Sequence, residues 1–193
     1  MDSISVISRF ISAPDGLMLH ARCHGTTSSR LLPVVCLPGL ARTADDFDRL
    51  AGILAGKHGR RVIAVDYRGR GQSGYDNDPA NYSFPIELAD VLAVLTALDA
   101  LPAIFVGTSR GGILTMLLAA IRPTAIAGCV LNDIGPVIEP KGLMRIKGYV
   151  GCPSSGNLRL IRHFEKRGPG SSGLEFKRPA VGAASVGSRW WQV

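Results

Sequence analysis

The chain has 193 residues, 46% hydrophobic and 19% charged, a balance that fits one globular domain with a sizeable core and excludes wholesale disorder. Its net charge of +7 invites a nucleic-acid reading, but residues 1–151 hold 15 basic and 13 acidic side chains while residues 152–193 hold 7 and 2. The basicity therefore belongs mostly to the tail, and no nucleic-acid partner is expected.

In chain order, SVISRFI and LMLHARCH flank Pro14, Asp15 and Gly16, which predicts an N-terminal hairpin. LLPVVCL reads as a strand ending at Pro38 and Gly39. TADDFDRLAGILAG follows as a helix, with Thr43 as its cap and Phe47, Leu50, Ile53 and Leu54 at helical spacing. RVIAVD is a short β-branched run that stops at a glycine-rich loop, as a buried parallel strand does. PIELADVLAVLTALDA is the strongest helix, AIFVG a strand, SRGGILTMLLAAIRP a helix ended by Pro123, and AIAGCVLND another strand. Strands alternating with helices predict an α/β fold with a mostly parallel, doubly wound sheet.

Past residue 151 the periodicity fails. Residues 152–193 contain 6 Gly, 6 Ser and 3 Pro, and only NLRLIRHFEK has a helical pattern. The expected organisation is a domain over 5–150 and a loop-like or disordered basic tail over 151–193. No window approaches the roughly 18 consecutive apolar residues of a membrane helix, and MDSISVISRFISAPDG lacks the pattern of a secretory signal. The expectation is a cytoplasmic protein without membrane contact. Cys23, Cys36, Cys129 and Cys152 are scattered, so free thiols are expected. No Cys or His cluster has metal-ligand spacing, and no metal is expected.

Gly107-Thr108-Ser109-Arg110-Gly111 matches G-x-S-x-G, the turn that lifts a nucleophilic serine above a sheet between a strand and a helix. The bare pattern is weak, and its context gives it weight: AIFVG before it is a strand and GGILTMLLAAI after it a helix. Gly107, Gly111 and the adjacent Gly112 leave room for the bend. The competing reading is a glycine-rich turn with no chemistry. An oxyanion formed on such a serine needs donors. The N–H of Arg110 is one, and the loop Leu37-Pro38-Gly39-Leu40-Ala41 offers that of Leu40, with Gly39 allowing close approach.

CLPGL, VIAVDYRGRGQSG and FVGTSRGG, in that order, make residues 5 to 150 resemble the α/β-hydrolase superfamily. The resemblance implies that Ser109 follows the fifth strand and that Asp66 to Gly74 forms the loop after the fourth, shaped by Asp66 and Arg68. It implies attack by Ser109 on an ester, thioester, lactone or related carbonyl of a small-molecule acyl substrate, with no cofactor. Gly69-Arg70-Gly71-Gln72-Ser73-Gly74 also fits the dinucleotide pattern G-x-G-x-x-G, but it runs into the polar YDNDPANYSF instead of opening a helix.

Such enzymes order their triad as Ser, Asp or Glu, then His. His20, His24 and His58 precede Ser109 and are excluded by that order, which leaves His163. It sits in the basic RLIRHFEKR with no strand before it, which suits a surface position better than a base. Asp133, at the end of the sixth strand, is the candidate acid; its competing role is a turn or capping Asp in N-D-I-G-P. The pattern predicts an incomplete hydrolase, with strands one to six present, the seventh and eighth missing, and impaired turnover. The alternative is a catalytically inactive hydrolase-like binding or interaction protein. The exposed edge of the sixth strand is expected to favour self-association.

Overall fold

The computed structural model describes residues 6–135 and Val137, all of which fall within one compact unit. The expected tail over 151–193, His163, Cys152 and residues 1–5 lie outside the described residues.

Strands β1 (Val6–Ser12) and β2 (Met18–His24) pair antiparallel across the expected hairpin. The turn is closed by Gly16 N–H to the Ala13 carbonyl at 2.9 Å and Ala13 N–H to the Leu17 carbonyl at 2.8 Å. Strands β3 (Val34–Leu37) and β4 (Val62–Val65) are buried at every position, the environment that selects short Val- and Ile-rich runs. Strands β5 (Ala103–Thr108) and β6 (Ile126–Asn132) complete a sheet of order β1-β2-β4-β3-β5-β6, parallel from β4 to β6.

Helix α1 (Asp48–His58) covers one face of this sheet, where Ala44, Phe47 and Ala51 pack on Val34, Cys36, Val62 and Ala64. Helices α2 (Phe84–Ala97) and α3 (Arg110–Ile121) cover the other: Leu88, Val91, Val94, Leu95, Leu114 and Leu118 join Val35, Leu37, Ile63, Val65 and Phe105 in the main core. The period-2 alternation of the strands divides the two sets. From β3 the chain moves outward to β4 and then crosses back to β5, so the sheet reverses its winding at β3. That reversal opens a crevice at the carboxyl ends of the strands, the usual ligand position of doubly wound sheets.

The first crossover differs from the sequence expectation. Ala44–Phe47 forms a 3₁₀ turn, α1 begins at Asp48, and the Thr43 side chain makes no capping bond. The Ala44 N–H is instead taken by Asp66 Oδ1 at 2.7 Å, a cap supplied by a distant loop. The shorter helix changes phase, so Phe47 is buried whereas Leu50 and Ile53 are exposed. Among the described residues no helix is long and apolar enough to cross a membrane.

Candidate functional site

Between β5 and α3 the backbone turns sharply at Ser109, whose φ of +48° and ψ of −107° lie in a region that non-glycine residues rarely enter. Such a conformation costs on the order of 1–3 kcal/mol and persists only where the surroundings enforce it. Here they do. Ser109 N–H donates to the Asn132 carbonyl at 2.9 Å, and the Ser109 carbonyl accepts from Gly112 and Ile113 at 2.9 and 3.2 Å. A Cβ on Gly107 would stand 2.6 Å from the Gly111 carbonyl oxygen, and one on Gly111 would fall on the Leu37 carbonyl. Both glycines are therefore required by the close approach of α3 to β5 and β3.

The loop after β3 lies against this turn: a Cβ on Gly39 would be 3.9 Å from the Thr108 carbonyl oxygen and 4.0 Å from Ser109 Cβ. Tyr67 holds the loop by donating from its hydroxyl to the Pro38 carbonyl at 3.1 Å, and Arg70 Nε donates to the Leu40 carbonyl at 3.1 Å. Burial, reinforced by the neighbouring Glu87 carboxylate, pushes the Tyr67 hydroxyl well above its ordinary pKa, so it stays a donor. Among the described residues neither the Leu40 nor the Arg110 N–H has an acceptor. Arg110 opens α3, where backbone N–H groups and the helix dipole favour negative charge.

The Arg110 side chain turns away from Ser109. Its Nη2 lies 2.6 Å and its Nε 2.8 Å from Glu87 Oε2, and its guanidinium stacks 4.3 Å from the Phe84 ring centroid. Burial raises the Glu87 pKa, with Arg110 opposing. Glu87 was not among the residues singled out from the sequence. Its signal was a charged residue in the first turn of an apolar helix, three before Asp90 on the same face, with both buried.

Asp90 meets a fully buried cation. Arg68, 1% exposed, makes two 2.7 Å bonds to Asp90 and reaches Asp15 at 2.9 Å and Asp76 at 3.0 Å. Asp66, 2% exposed, accepts from the Ala44 and Gln72 N–H groups and lies 2.7 Å from His20 Nδ1. The Gly69–Gly74 stretch closes on itself through Gly69 N–H to the Gly74 carbonyl at 2.7 Å and leads to the short turn Pro79–Asn81, not to a helix N-terminus.

Asp133 is exposed at the end of β6 with φ +56°, one residue beyond the acceptor of the Ser109 N–H. No described hydrogen bond joins the Ser109 hydroxyl to a histidine or to Asp133. His20 is occupied with Asp66 and Ser8. An open trough of about 530 Å³ runs beside α1, lined by Gly39, Phe47, Leu50, Val106, Thr108 and Val130. A smaller cavity of about 90 Å³ is lined by Leu40, Tyr67, Arg70, Glu87 and Arg110. Ser109 lines neither. Among the described residues no three His, Cys, Asp or Glu side chains converge to hold a metal ion.

Comparison with known proteins agrees with this geometry. The profile of the alpha/beta hydrolase fold family matches residues 33–147. The chain is 36% identical over 120 residues to a 3-hydroxybutyrate-oligomer hydrolase of Cupriavidus necator, covering 62% of this chain and 40% of that protein. It is 36% identical over 104 residues to an sn-1-specific diacylglycerol lipase of Mus musculus, covering 54% and 33%. An alpha/beta hydrolase from Novosphingobium aromaticivorans superposes with a TM-score of 0.70 at 47% identity, covering 77% of this chain and 51% of that one. The chain thus spans 40% or less of the length of these two curated relatives.

Proposed function

Because the chain belongs to the alpha/beta hydrolase fold family, we propose that it is a serine hydrolase in which Ser109 attacks the carbonyl of an ester, thioester, lactone or related small acyl substrate. The observation that carries this reading is the left-handed backbone of Ser109 beside the Gly39 loop. In that position the N–H groups of Leu40 and Arg110 serve as donors to the oxyanion as the tetrahedral intermediate forms. The two relatives named above are by name hydrolases of hydroxyacid oligomers and of diacylglycerol, both carboxylic esters, which supports an ester over the other carbonyl classes.

Chain order leaves Asp133 as the acid and His163 as the base, and the base is the weak point. A serine hydroxyl without one is a poor nucleophile, and loss of a triad member leaves only about 10³- to 10⁴-fold catalysis over water. We expect low turnover on the sequence position of His163, in a basic segment with no strand pattern before it. The second reading is a hydrolase-like binding protein that holds such a compound without turning it over.

Labelling with a fluorophosphonate probe, mapped by peptide mass spectrometry, separates the two readings. A slow adduct on the Ser109 peptide, with ester hydrolysis that falls in Ser109→Ala, is the expected result. A folded protein with no adduct there would mean that Ser109 is not a nucleophile.

A further inference from the structure

Outside this site the fold assembles a second serine, histidine and carboxylate in hydrogen-bonding order. His20 Nδ1 lies 2.7 Å from Asp66 Oδ2, and His20 Nε2 lies 2.9 Å from Ser8 Oγ. The proton positions follow from the partners. Asp66 already accepts from the Ala44 and Gln72 N–H groups, so it acts as an acceptor toward His20 as well. In the neutral ring a proton on Nδ1 leaves the Nε2 lone pair facing Ser8 Oγ, whose hydroxyl can donate to it. This is the relation of nucleophile, base and orienting acid that defines a serine triad by role, whatever the chain order.

The surroundings differ from those of a structural histidine sealed in a core. His20 is 0% exposed, but Ser8 lies on an exposed strand, flanked on its own face by Val6 and Phe10, 46% and 54% exposed. These side chains give an acyl or aryl group an apolar platform beside the hydroxyl. Backbone alternation adds a donor. His20 N–H donates to Ser73 Oγ and its carbonyl accepts from Asp66 N–H, so the His20 backbone faces β4. Alternation then turns Leu19, Ala21 and Cys23 toward Ile11, Arg9 and Ile7 of β1. The Ser8 N–H therefore points away from β2, along an edge with no partner strand among the described residues, beside any oxyanion formed on its own hydroxyl.

We propose that Ser8 is a second nucleophile, which takes up acyl groups from small activated esters such as aryl acetates, and phosphonyl groups from fluorophosphonates. The Ser8 oxygen bonds to the carbonyl carbon while its proton passes to His20 Nε2, and Asp66 stabilises the imidazolium. Collapse breaks the bond to the aryloxide, which leaves with that proton as the phenol; with a fluorophosphonate the Ser8 oxygen bonds to phosphorus, the P–F bond breaks, fluoride leaves and the proton passes from His20 to solvent. Water, deprotonated by the same nitrogen, later releases the acid and restores Ser8.

Ser12 is an internal control: it is exposed on the same strand, but its hydroxyl donates to the Ala13 carbonyl at 3.2 Å and meets no histidine. The test treats full-length Ser109→Ala with p-nitrophenyl acetate and, separately, a fluorophosphonate. Trypsin cuts at Arg9 and so separates Ser8 from Ser12, and tandem spectra separate Ser8 from Ser3 and Ser5. General-base assistance is expected to label Ser8 about 10²-fold or more faster than Ser12, and His20→Gln is expected to reduce it to the Ser12 rate. Equal labelling of the two serines, or a folded His20→Gln that still labels Ser8 rapidly, would overturn the proposal. If His20→Gln does not fold, the ratio of Ser8 to Ser12 in the folded chain decides alone. Because adducts are assigned residue by residue, failure at Ser8 is distinguishable from failure at Ser109.

Discussion

Ser109 closes β5 and Ser8 lies in the edge strand β1, four positions away in the sheet order, or roughly 19 Å at the usual spacing of strands. The first has a left-handed turn, a helix N-terminus behind it and, among the described residues, two N–H groups beside it that lack an acceptor. The second has a histidine within hydrogen-bonding distance, held by a buried carboxylate, on ordinary strand backbone. A reactive serine needs both provisions, and they come from different levels of structure. The turn is written in five consecutive residues, whereas the base arrives only when β2 and the loop after β4 fold together.

That loop serves both places, since Asp66 faces His20 while Tyr67 holds the Pro38 carbonyl of the loop beside Ser109. Arg68, next in the same loop, is its anchor to Asp90, Asp76 and Asp15. Replacing it with Met leaves Asp90, 2% exposed, as an uncompensated buried charge, at a cost of about 3–5 kcal/mol. Urea unfolding of Arg68→Met should show this loss, the largest of any change considered, with labelling diminished at both serines. A variant as stable as the parent would show that the two places do not share a support.

The sheet's two ends allow a smaller test. Among the described residues β6 has a neighbour on one side only, and Val130 is 54% exposed. Pairing of two β6 strands would give a concentration-dependent dimer in size-exclusion chromatography, reduced in Val130→Lys, while labelling of Ser8 at the opposite edge stays independent of concentration. A monodisperse monomer counts against this association, and Ser8 labelling that falls as the dimer forms would place the contact at β1 instead.

Much of the fold was legible in the sequence because its elements carry local signals. Val34–Leu37 and Val62–Val65 are short β-branched runs, and Gly107 and Gly111 announce a turn that only close backbone approach explains. The pairing of distant polar residues was not legible. His20 alternates with apolar neighbours like any strand residue, and its partners stand 12 and 46 positions away. Chain order removed it as a base for Ser109 and left its actual partners unsuspected. Thr43 makes no capping bond, and here too the partner is distant: the Ala44 N–H goes to Asp66, 22 residues on.

The smallest effect concerns the charge pair behind Ser109. Burial raises the Glu87 pKa above its ordinary 4.5 while the Arg110 guanidinium pulls the other way, and burial is the larger influence. A carboxyl that holds its proton more tightly in the folded state than in the unfolded chain stabilises the fold most below about 4.5. That contribution is lost as pH rises through the raised value. Other carboxylates titrate in the same window, so the informative quantity is the difference in unfolding free energy between the parent and Glu87→Gln, which cannot ionise. That difference should shift against the parent as pH climbs from 4.5 through the raised value, then level off. The opposite slope would mean that Arg110 outweighs burial, making the ion pair, and not the packing of α2, what fixes the residue after Ser109. His20 and Asp66 lie outside this pair, so labelling of Ser8 should be the same in Glu87→Gln as in the parent at every pH where both are folded.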